Sequence, residues 1–304
     1  MTSTTGGKAR IGPYAGGTIV ASDIDRAVAP YTSWLKYSER AAGTVSRGLA
    51  QSWGAPAMEG RRFIVLGAAS GSSQFIRFVE GPKLPGYKPM TTFGWNALEI
   101  TVQDVDAIPA HIEGSPFVTI GEPRNLSSTD NIRAMQVVGL ADEVLYLTQI
   151  KDAADTASLP RAHAFVDHIF IVILGSPDFD ASRAFYEKNF AVQLGNPIQA
   201  RVRTINKAFG YDIETRHTIC TIGLHGKNLV ELDDFPKAAV PRQTPKGELP
   251  YSLGLVSMEV DSLAKVTLKP FAPPAAIAEA PYNGRRAATF AGSAGELLEL
   301  IETR

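Results

Sequence analysis

The stretch Val166–Phe190, VDHIFIVILGSPDFDASRAFYEKNF, carries the pattern that decides the fold. Its first half is an apolar run rich in Ile and Val, which is typical of a half-buried strand. The Ser-Pro-Asp that follows supplies an N-cap, because the Asp178 carboxylate can accept the unpaired amides of a first helical turn. Phe179, Phe185 and Phe190 then fall on one helical face. The stretch therefore predicts a strand followed directly by a short amphipathic helix.

The same strand-helix pattern occurs four times along the chain. The other three copies are GGTIVASDIDRAVAPYTSWL, NALEITVQDVDAIPAHI and SLGLVSMEVDSLAKV. Further strand-like runs follow each helix, and the last of these runs are SSQFIRFVE, DEVLYLTQI, KNLVELDDF and GELLELIET. Equivalent points of the first and last strands are 61, 49, 63 and 47 positions apart in the four copies. This long-short alternation indicates that a domain of two units has itself been duplicated.

The connector Lys151–Ala162, KDAADTASLPRA, separates the second copy from the third. It lacks apolar periodicity and carries a proline near its end, as linkers between domains do. We therefore expect two domains, residues 1–150 and 163–304. The predicted fold class is α+β, with four βαβββ units paired into two barrel-like domains.

The composition excludes several classes of partner. Thirty Lys and Arg against 31 Asp and Glu give a net charge of -1, so no basic surplus exists to bind nucleic acid. The N-terminal MTSTTGGKARIGPY lacks the apolar core of a signal peptide, and no apolar run reaches the length that spans a bilayer. The single cysteine, Cys220, rules out an internal disulfide. These features predict a cytoplasmic protein without nucleic-acid or membrane partners, and they leave assembly into a homo-oligomer open.

On these residues the sequence resembles the vicinal oxygen chelate superfamily, which includes glyoxalase I, bleomycin-resistance proteins and extradiol ring-cleaving dioxygenases. The resemblance is carried by Val166–Phe190 and by the closing GSAGELLELIET, and it covers the chain from about Pro13 to Glu302. It implies that two paired units fold a curved sheet around a cleft. It also implies that a divalent metal lies in the cleft, held by side chains from the first and last strand of each unit.

Carried over position by position, the resemblance implies His168, Glu231 and Glu299 as metal ligands in the second domain. One imidazole and two carboxylates suit Zn, Mn, Fe or Ni, and three protein ligands leave room for water and substrate. Glu231 and Glu299 are also the predicted catalytic groups, because a carboxylate in this shell can move a proton. A core role for His168 remains the alternative, since it lies inside an apolar strand.

The matching positions of the first half are Gly16, Arg77, Ala97 and Tyr146. None of these residues is a usual metal ligand in such a place. The domain 1–150 is therefore expected to be metal-free.

The resemblance therefore implies a divalent-metal-dependent enzyme, a glyoxalase-like isomerase or lyase, acting on a small, partly apolar substrate with adjacent oxygens. Ser252 stands where the family often has a second histidine. An extradiol dioxygenase is therefore the second alternative. A non-catalytic protein that binds and sequesters a small molecule is the third alternative. Ser252, His217 and Tyr251 are the predicted substrate-binding residues.

Overall fold

The protein is described by a computed structural model that covers residues 7–126 and 129–303, so the first six residues of the polar N-terminal stretch lie outside it. The helices are α1 Ile24–Ser33, α2 Arg47–Ser52, α3 Ile108–His111, α4 Phe179–Asn189 and α5 Arg203–Phe209. The strands of the first half are β1 Ile11–Ala21, β2 Ser38–Thr44, β3 Arg62–Gly67, β4 Phe75–Glu80, β5 Gly94–Val102, β6 Val118–Asn125, β7 Ile132–Val138 and β8 Val144–Ile150. Those of the second half are β9 Val166–Ser176, β10 Gln193–Leu194, β11 Ile198–Ala200, β12 His217–Gly223, β13 Leu229–Asp234, β14 Ser252–Val260, β15 Ala275–Ala276, β16 Arg286–Ala291 and β17 Leu297–Glu302. No helix in these two ranges is both long enough and apolar enough to cross a membrane.

The strands form two mixed sheets, each made of two units. The terminal sheet joins the first and last units in the order β15-β16-β17-β14-β1-β4-β3-β2. The central sheet joins the two middle units in the order β10-β12-β13-β9-β5-β8-β7-β6, with β11 also paired to β12. In each sheet the first strands of the two units run antiparallel side by side. Four βαβββ units in an α+β fold are thus confirmed.

The pairing of the units differs from the prediction of separate domains at 1–150 and 163–304. The first unit hydrogen-bonds to the fourth, and the second to the third, so each sheet takes strands from both sides of Lys151–Ala162. The physical reason is that every unit leaves the same edge open, the edge of its first strand. A repeat pattern shows that such edges must pair, but it cannot show which two do.

The predicted strand-helix junction is confirmed at both long units. The Asp23 carboxylate accepts from the amide of Arg26 at 3.0 Å and begins α1. The Asp178 carboxylate accepts from the amide of Ala181 at 2.9 Å and begins α4. Both helices bury their apolar faces in one large core that also contains side chains from the convex faces of both sheets.

The long units are long because each contains an extra helix over the concave face of its sheet. In the first unit this helix is α2, and its Leu49 packs in the concave core of the terminal sheet. In the third unit it is α5, and its Ile205 packs in the concave core of the central sheet with Ile173. The extra helices therefore restrict access to the two faces where ligands would lie.

Candidate active site

Glu299 is the centre of a buried polar cluster in the terminal sheet. Its Oε1 accepts hydrogen bonds from Trp53 Nε1 at 2.8 Å and from the Tyr282 hydroxyl at 2.6 Å. Its Oε2 accepts from Ser257 Oγ at 2.5 Å. The side chain is fully buried, so protein donors replace water around the whole carboxylate.

Arg77 supplies the cation of this cluster. Its Nη2 lies 3.6 Å from Glu299 Oε2, and both side chains are fully buried. The guanidinium also donates to Thr18 Oγ1 and, at 2.7 Å, to the Tyr282 hydroxyl, and it stacks 4.6 Å from the centre of the Trp53 ring. A buried carboxylate and guanidinium with this many hydrogen bonds form a closed, neutral unit. The contact joins β4 and β17, which are three strands apart, because the sheet curls around it.

A second cluster lies on the concave face of the central sheet. Glu99 on β5 is directly opposite Ile171 of β9, and Glu231 on β13 is directly opposite Ile173. Residues opposite each other share a face of a sheet, and so do residues two apart on one strand. The two carboxylates therefore point to the same side, one on each flank of β9.

Burial raises the pKa of both carboxyl groups, and the charge of Glu231 adds to the rise at Glu99. Desolvation, and then the charge of Glu231, raises the pKa of Glu99 to about 8. Burial raises the pKa of Glu231 to about 7. Thr148 Oγ1 donates a hydrogen bond to Glu99 Oε1 at 2.6 Å, and this bond offsets only part of the rise in the pKa of Glu99. At neutral pH the pair therefore holds at least one proton. Glu99, with the higher pKa, is the group that holds it more firmly, and Glu231 is the group that ionises first.

Asp233 extends this acidic face. It follows Glu231 by two residues on β13 and is fully buried, and neither carboxylate oxygen has a hydrogen-bond partner. Burial, together with the charge of Glu231, raises the pKa of Asp233 well above its usual value. A carboxyl group in this position is held in its neutral form.

A cavity of about 550 Å³ opens at one end of the terminal sheet, and another of about 440 Å³ lies beside α5 at the central sheet. The second is lined mainly by apolar side chains, among them Met90, Ile120 and Val138, together with Thr204. Thr204 Oγ1 lies 2.5 Å from the Tyr146 hydroxyl. Tyr146 lies opposite Glu99 on the neighbouring strand, and the charges of Glu231 and Glu99 contribute to its raised pKa. The Thr204–Tyr146 pair therefore connects this cavity to the acidic face.

The predicted metal ligands His168, Glu231 and Glu299 do not come together. Glu299 lies in the terminal sheet, and the other two lie in the central sheet. Within the central sheet, Glu231 is opposite Ile173, five residues beyond His168, so the backbones of the two are roughly 16 Å apart. The His168 ring instead lies 3.2 Å from Asp167 Oδ2 and 3.4 Å from Thr101 Oγ1. His168 is thus partly buried and contacts Asp167 and Thr101, away from Glu231 and Glu299.

The error at His168 is one of register, and the helix caps reveal it. Gly16 precedes the cap of α1 by seven residues, whereas His168 precedes the cap of α4 by ten. The residue equivalent to Gly16 is Ile171, seven before Asp178. When the units are aligned on their helix caps, Ile171 and not His168 occupies the predicted ligand position.

The predicted substrate-binding residues lie in two different places. Tyr251 donates to Asp142 Oδ2 at 3.0 Å, and Ser252 is buried where β14 pairs with β1, so neither belongs to the central sheet. His217 does belong to it, and its Nε2 lies 2.6 Å from Asn206 Oδ1 of α5. His217 is two residues from Ile219 on β12, and Ile219 is directly opposite Asp233. His217 therefore lies on the same concave face as Asp233.

Sequence analysis missed Glu99 and Asp233. The signal was present, because NALEITV has a glutamate in the middle of an apolar strand just as NLVELDD does. Glu99 was overlooked because the first half was compared only at positions matched to His168 and Ser252. Asp233 was overlooked because alternation along an exposed strand explains an Asp two residues after a Glu.

Comparison with known proteins gives a result for structure but none for sequence. No family model matches the chain, and no curated protein does. Glyoxalase I from Zea mays superposes with a TM-score of 0.63 at 14% identity, over 97% of this chain and 92% of that one. A candidate dioxygenase from Bacillus subtilis subsp. subtilis str. 168 superposes with a TM-score of 0.62 at 10% identity, over 96% and 86%. The chain therefore has the same fold as these two proteins.

In the superfamily that the sequence resembles, the expected metal ligands come from the first and last strand of each unit. The pairing register of the strands identifies the equivalent positions in this structure. In the terminal sheet the four positions hold Gly16, Arg77, Ser257 and Glu299. Here a guanidinium already neutralises the single carboxylate, so the donor set does not suit a metal.

In the central sheet the equivalent positions hold Glu99, Tyr146, Ile171 and Glu231. Two carboxylates without an imidazole fall short of the three ligands that a catalytic ion usually takes. No group of three or more His, Cys, Asp or Glu in residues 7–126 and 129–303 is arranged to hold a metal. The residues present therefore do not fit the resident divalent ion that the fold family implies.

Proposed function

We propose that the protein is an isomerase or lyase that transfers a proton on a small, partly apolar substrate, using Glu231 as base and Glu99 as acid and no resident metal. The observation that carries the proposal is the pair of desolvated carboxyl groups on one concave face, with pKa values of about 7 and 8. Two carboxyls with raised and unequal pKa values near neutrality are suited to acid–base catalysis.

The chemistry follows from the protonation states. The Glu231 carboxylate removes a proton from a carbon next to a carbonyl, and the electron pair of the broken C–H bond moves toward the carbonyl oxygen. The Glu99 carboxyl gives its proton to that oxygen, so the enol is neutral and the negative charge passes from Glu231 to Glu99. In a substrate with a hydroxyl group on that carbon, Glu231 returns the proton to the former carbonyl carbon while Glu99 takes the proton of the neighbouring hydroxyl, which completes an isomerisation. In a substrate with a leaving group on the next carbon, the enol proton returns to Glu99 as the carbonyl reforms, and the leaving group departs with the proton from Glu231, which gives a lyase reaction.

Proton exchange tests this function without knowledge of the substrate. EDTA-treated protein is incubated in D2O with hydroxyacetone, 2-hydroxyacetophenone or phenylpyruvate, and proton NMR follows deuterium entry beside the carbonyl. We expect protein-dependent exchange that is fastest between pH 7 and 8, where Glu231 is ionised and Glu99 is protonated. Glu231→Gln should lower the rate by about 100-fold or more, because general acid–base groups contribute factors of that order.

The matched control is Glu143→Gln. Glu143 is also buried with a pKa raised to about 7, but it lies in the turn before β8 and not on the acidic face. It should leave exchange unchanged. Exchange no faster than the buffer rate for every probe, or a Glu231→Gln protein as active as the wild type, would contradict the proposal.

A non-catalytic binding protein is the second candidate, and the terminal sheet favours it. The Arg77–Glu299 cluster has all of its donors and acceptors occupied within the protein, which suits a stable scaffold next to a cavity of about 550 Å³. Saturable binding of apolar compounds to EDTA-treated protein, with no proton exchange in any probe, would favour the binder. Extradiol cleavage is not proposed, because the described residues lack the ligand group that the resemblance requires for iron.

Assembly and location remain predictions. Size-exclusion chromatography with light scattering would show whether the chain forms a homo-oligomer. A cytoplasmic location and the absence of nucleic-acid or membrane partners rest on the charge balance and the lack of an apolar segment, as set out from the sequence.

A further inference from the structure

An arginine from β6 joins the acidic face from the far edge of the central sheet. Arg124 on β6 is directly opposite Ala134 on β7, which in turn is opposite Thr148 on β8. Opposite residues share a face, and the Thr148 hydroxyl already reaches Glu99. Arg124 is therefore on the concave side, in the row of Thr148, whereas Glu99 lies in the next row with Tyr146.

The charge of Arg124 is not neutralised by the described residues. Its Nε is buried without a hydrogen-bond partner, and no described carboxylate forms an ion pair with its guanidinium. The charged groups that act on it most strongly are two further arginines, Arg203 and Arg201. Burial first, and then repulsion from Arg203 and Arg201, lowers the pKa of Arg124, while Tyr146 opposes this effect.

One carboxylate serves the two neighbouring arginines. Glu214 Oε2 lies 2.6 Å from Arg201 Nη1, and Glu214 Oε1 lies 3.7 Å from Arg203 Nη2. Arg124 forms no ion pair among the described residues, so Glu214 is the only carboxylate paired with this group of three arginines in the described part of the chain, and it contacts Arg201 and Arg203. An unneutralised positive charge on a partly buried arginine attracts an anion.

Gln136 adds a second unsatisfied donor beside Arg124. Its side chain is buried, and its Nε2 has no hydrogen-bond partner. The amide lies against the backbone of Gly121, where a Cβ would come within 1.9 Å of Gln136 Oε1 in its present position. Gln136 is two residues from Ala134 on the same face of β7 and directly opposite Tyr146. Both unsatisfied donors therefore point to the side on which Glu99 and Tyr146 lie.

We infer that Arg124 and Gln136 bind the carboxylate group of a small organic acid, whose remaining part extends over Tyr146 toward Glu231. This inference rests on the proposed function, since it names the substrate class of the same site. A planar carboxylate matches the geometry of a guanidinium, and the neutral Gln136 amide adds a hydrogen bond without adding charge. The charge of the Glu231 carboxylate at the other flank disfavours a second anion there.

Ligand-binding measurements with matched probes test the inference. Isothermal titration calorimetry on EDTA-treated protein compares benzoate and phenylpyruvate with the neutral benzamide, the cationic benzylamine and the dianionic phenyl phosphate. We expect the wild type to bind the carboxylates at least about 10-fold more tightly than benzamide, and benzylamine not at all. Arg124→Gln should remove the preference for the carboxylates, whereas Arg124→Lys should keep part of it.

Two variants make the result specific. Arg133→Gln removes a positive charge from the residue next to Ala134, on the opposite face, where Arg133 pairs with Asp106. It should leave the preference unchanged. Gln136→Leu should weaken carboxylate binding several-fold without loss of folding, which is checked by the thermal transition.

The outcomes separate this inference from the proposed enzyme. Glu231→Gln abolishes proton transfer in the proposed mechanism but should keep the carboxylate preference, because Arg124 is unchanged. Equal affinities for benzoate and benzamide, no saturable binding of either carboxylate, a phosphate preferred over both, or a preference that survives Arg124→Gln would each overturn the inference. Carboxylate selectivity without any proton exchange would support it while contradicting the enzyme.

Discussion

Arg77 and Glu299 neutralise each other inside the terminal sheet with no exposure of either side chain. The pair gains from mutual attraction and from the hydrogen bonds of Tyr282 and Thr18, but both ions have lost their hydration. Removing one partner therefore leaves an uncompensated buried charge, whereas removing both leaves no buried charge.

Arg77→Met is expected to lower the free energy of unfolding by about 3–5 kcal/mol, because it leaves the buried Glu299 carboxylate without its cation. The double variant Arg77→Met/Glu299→Leu should recover most of this loss. Urea denaturation followed by tryptophan fluorescence measures both. Arg47→Gln breaks the exposed pair with Glu59 and should cost less than about 1 kcal/mol. A single variant as stable as the wild type would show that the buried pair contributes little.

Single residues also show where a sequence pattern is sufficient and where it is not. The position of Glu231 in the last strand of its unit predicts a catalytic role, and in the structure it lies among other carboxyl groups of raised pKa. Glu99 and Arg124 come to the same face from strands that lie more than 100 residues earlier. Their proximity depends on which first strands pair, and no local pattern carries that information.

At the scale of elements, the turn before the last strand of the second and fourth units is built twice in the same way. Glu143 Oε2 accepts from the amide of Ala141, and Glu296 Oε2 accepts from the amide of Ala294. In each turn Oε1 accepts, at 2.9 Å, from a tyrosine on the helix of the preceding unit. The turns therefore attach consecutive units to each other, although these units belong to different sheets.

The two tyrosines are Tyr31 on α1 and Tyr186 on α4, and both are fully buried. Tyr31→Phe and Tyr186→Phe should each lower the free energy of unfolding by about 1–3 kcal/mol, since each leaves a buried carboxyl oxygen without its donor. Because the turns are equivalent, the two losses should agree within about 1 kcal/mol. Tyr211→Phe, at a residue 40% exposed, is the control and should change stability by less than about 0.5 kcal/mol. A large loss at only one of the two turns would contradict their equivalence.

For the whole molecule, the two sheets make the halves of the chain interdependent. Residues from both sheets and from α1 and α4 share one core, and each sheet takes one unit from either side of Lys151–Ala162. The connector thus joins consecutive units of the central sheet and is not a boundary between separate sheets.

Stability of the whole molecule should decrease as the pH rises from 5 to 8. Burial raises the pKa of Glu143, Glu231 and Glu296 to about 7, and burial with repulsion raises that of Glu99 to about 8. The folded state then keeps protons that the unfolded state releases above its carboxyl pKa of about 4.5. Stability from such groups is fully present below the unfolded pKa and is lost as the pH rises through the folded pKa.

Urea denaturation at pH 5, 6, 7 and 8 measures this slope. Each group contributes at most about 1.4 kcal/mol per pH unit in the window between its two pKa values. Glu143→Gln/Glu296→Gln should flatten the dependence, because a neutral amide releases no proton. A free energy of unfolding that is constant or increases over this range would contradict the raised pKa values.

The sequence by itself determined the local structure: the strand-helix junctions, the four units, and the fold class that they build. It could do so because capping and apolar periodicity act over a few residues, and because duplication repeats the signal. Only the tertiary structure decided which units pair, and with that which side chains meet. Four units offer the same open first-strand edge, so the choice of partner depends on packing between residues that are distant in the chain. Because of this pairing, Glu299 lies beside Arg77, and Glu99 and Arg124 lie on the same face as Glu231.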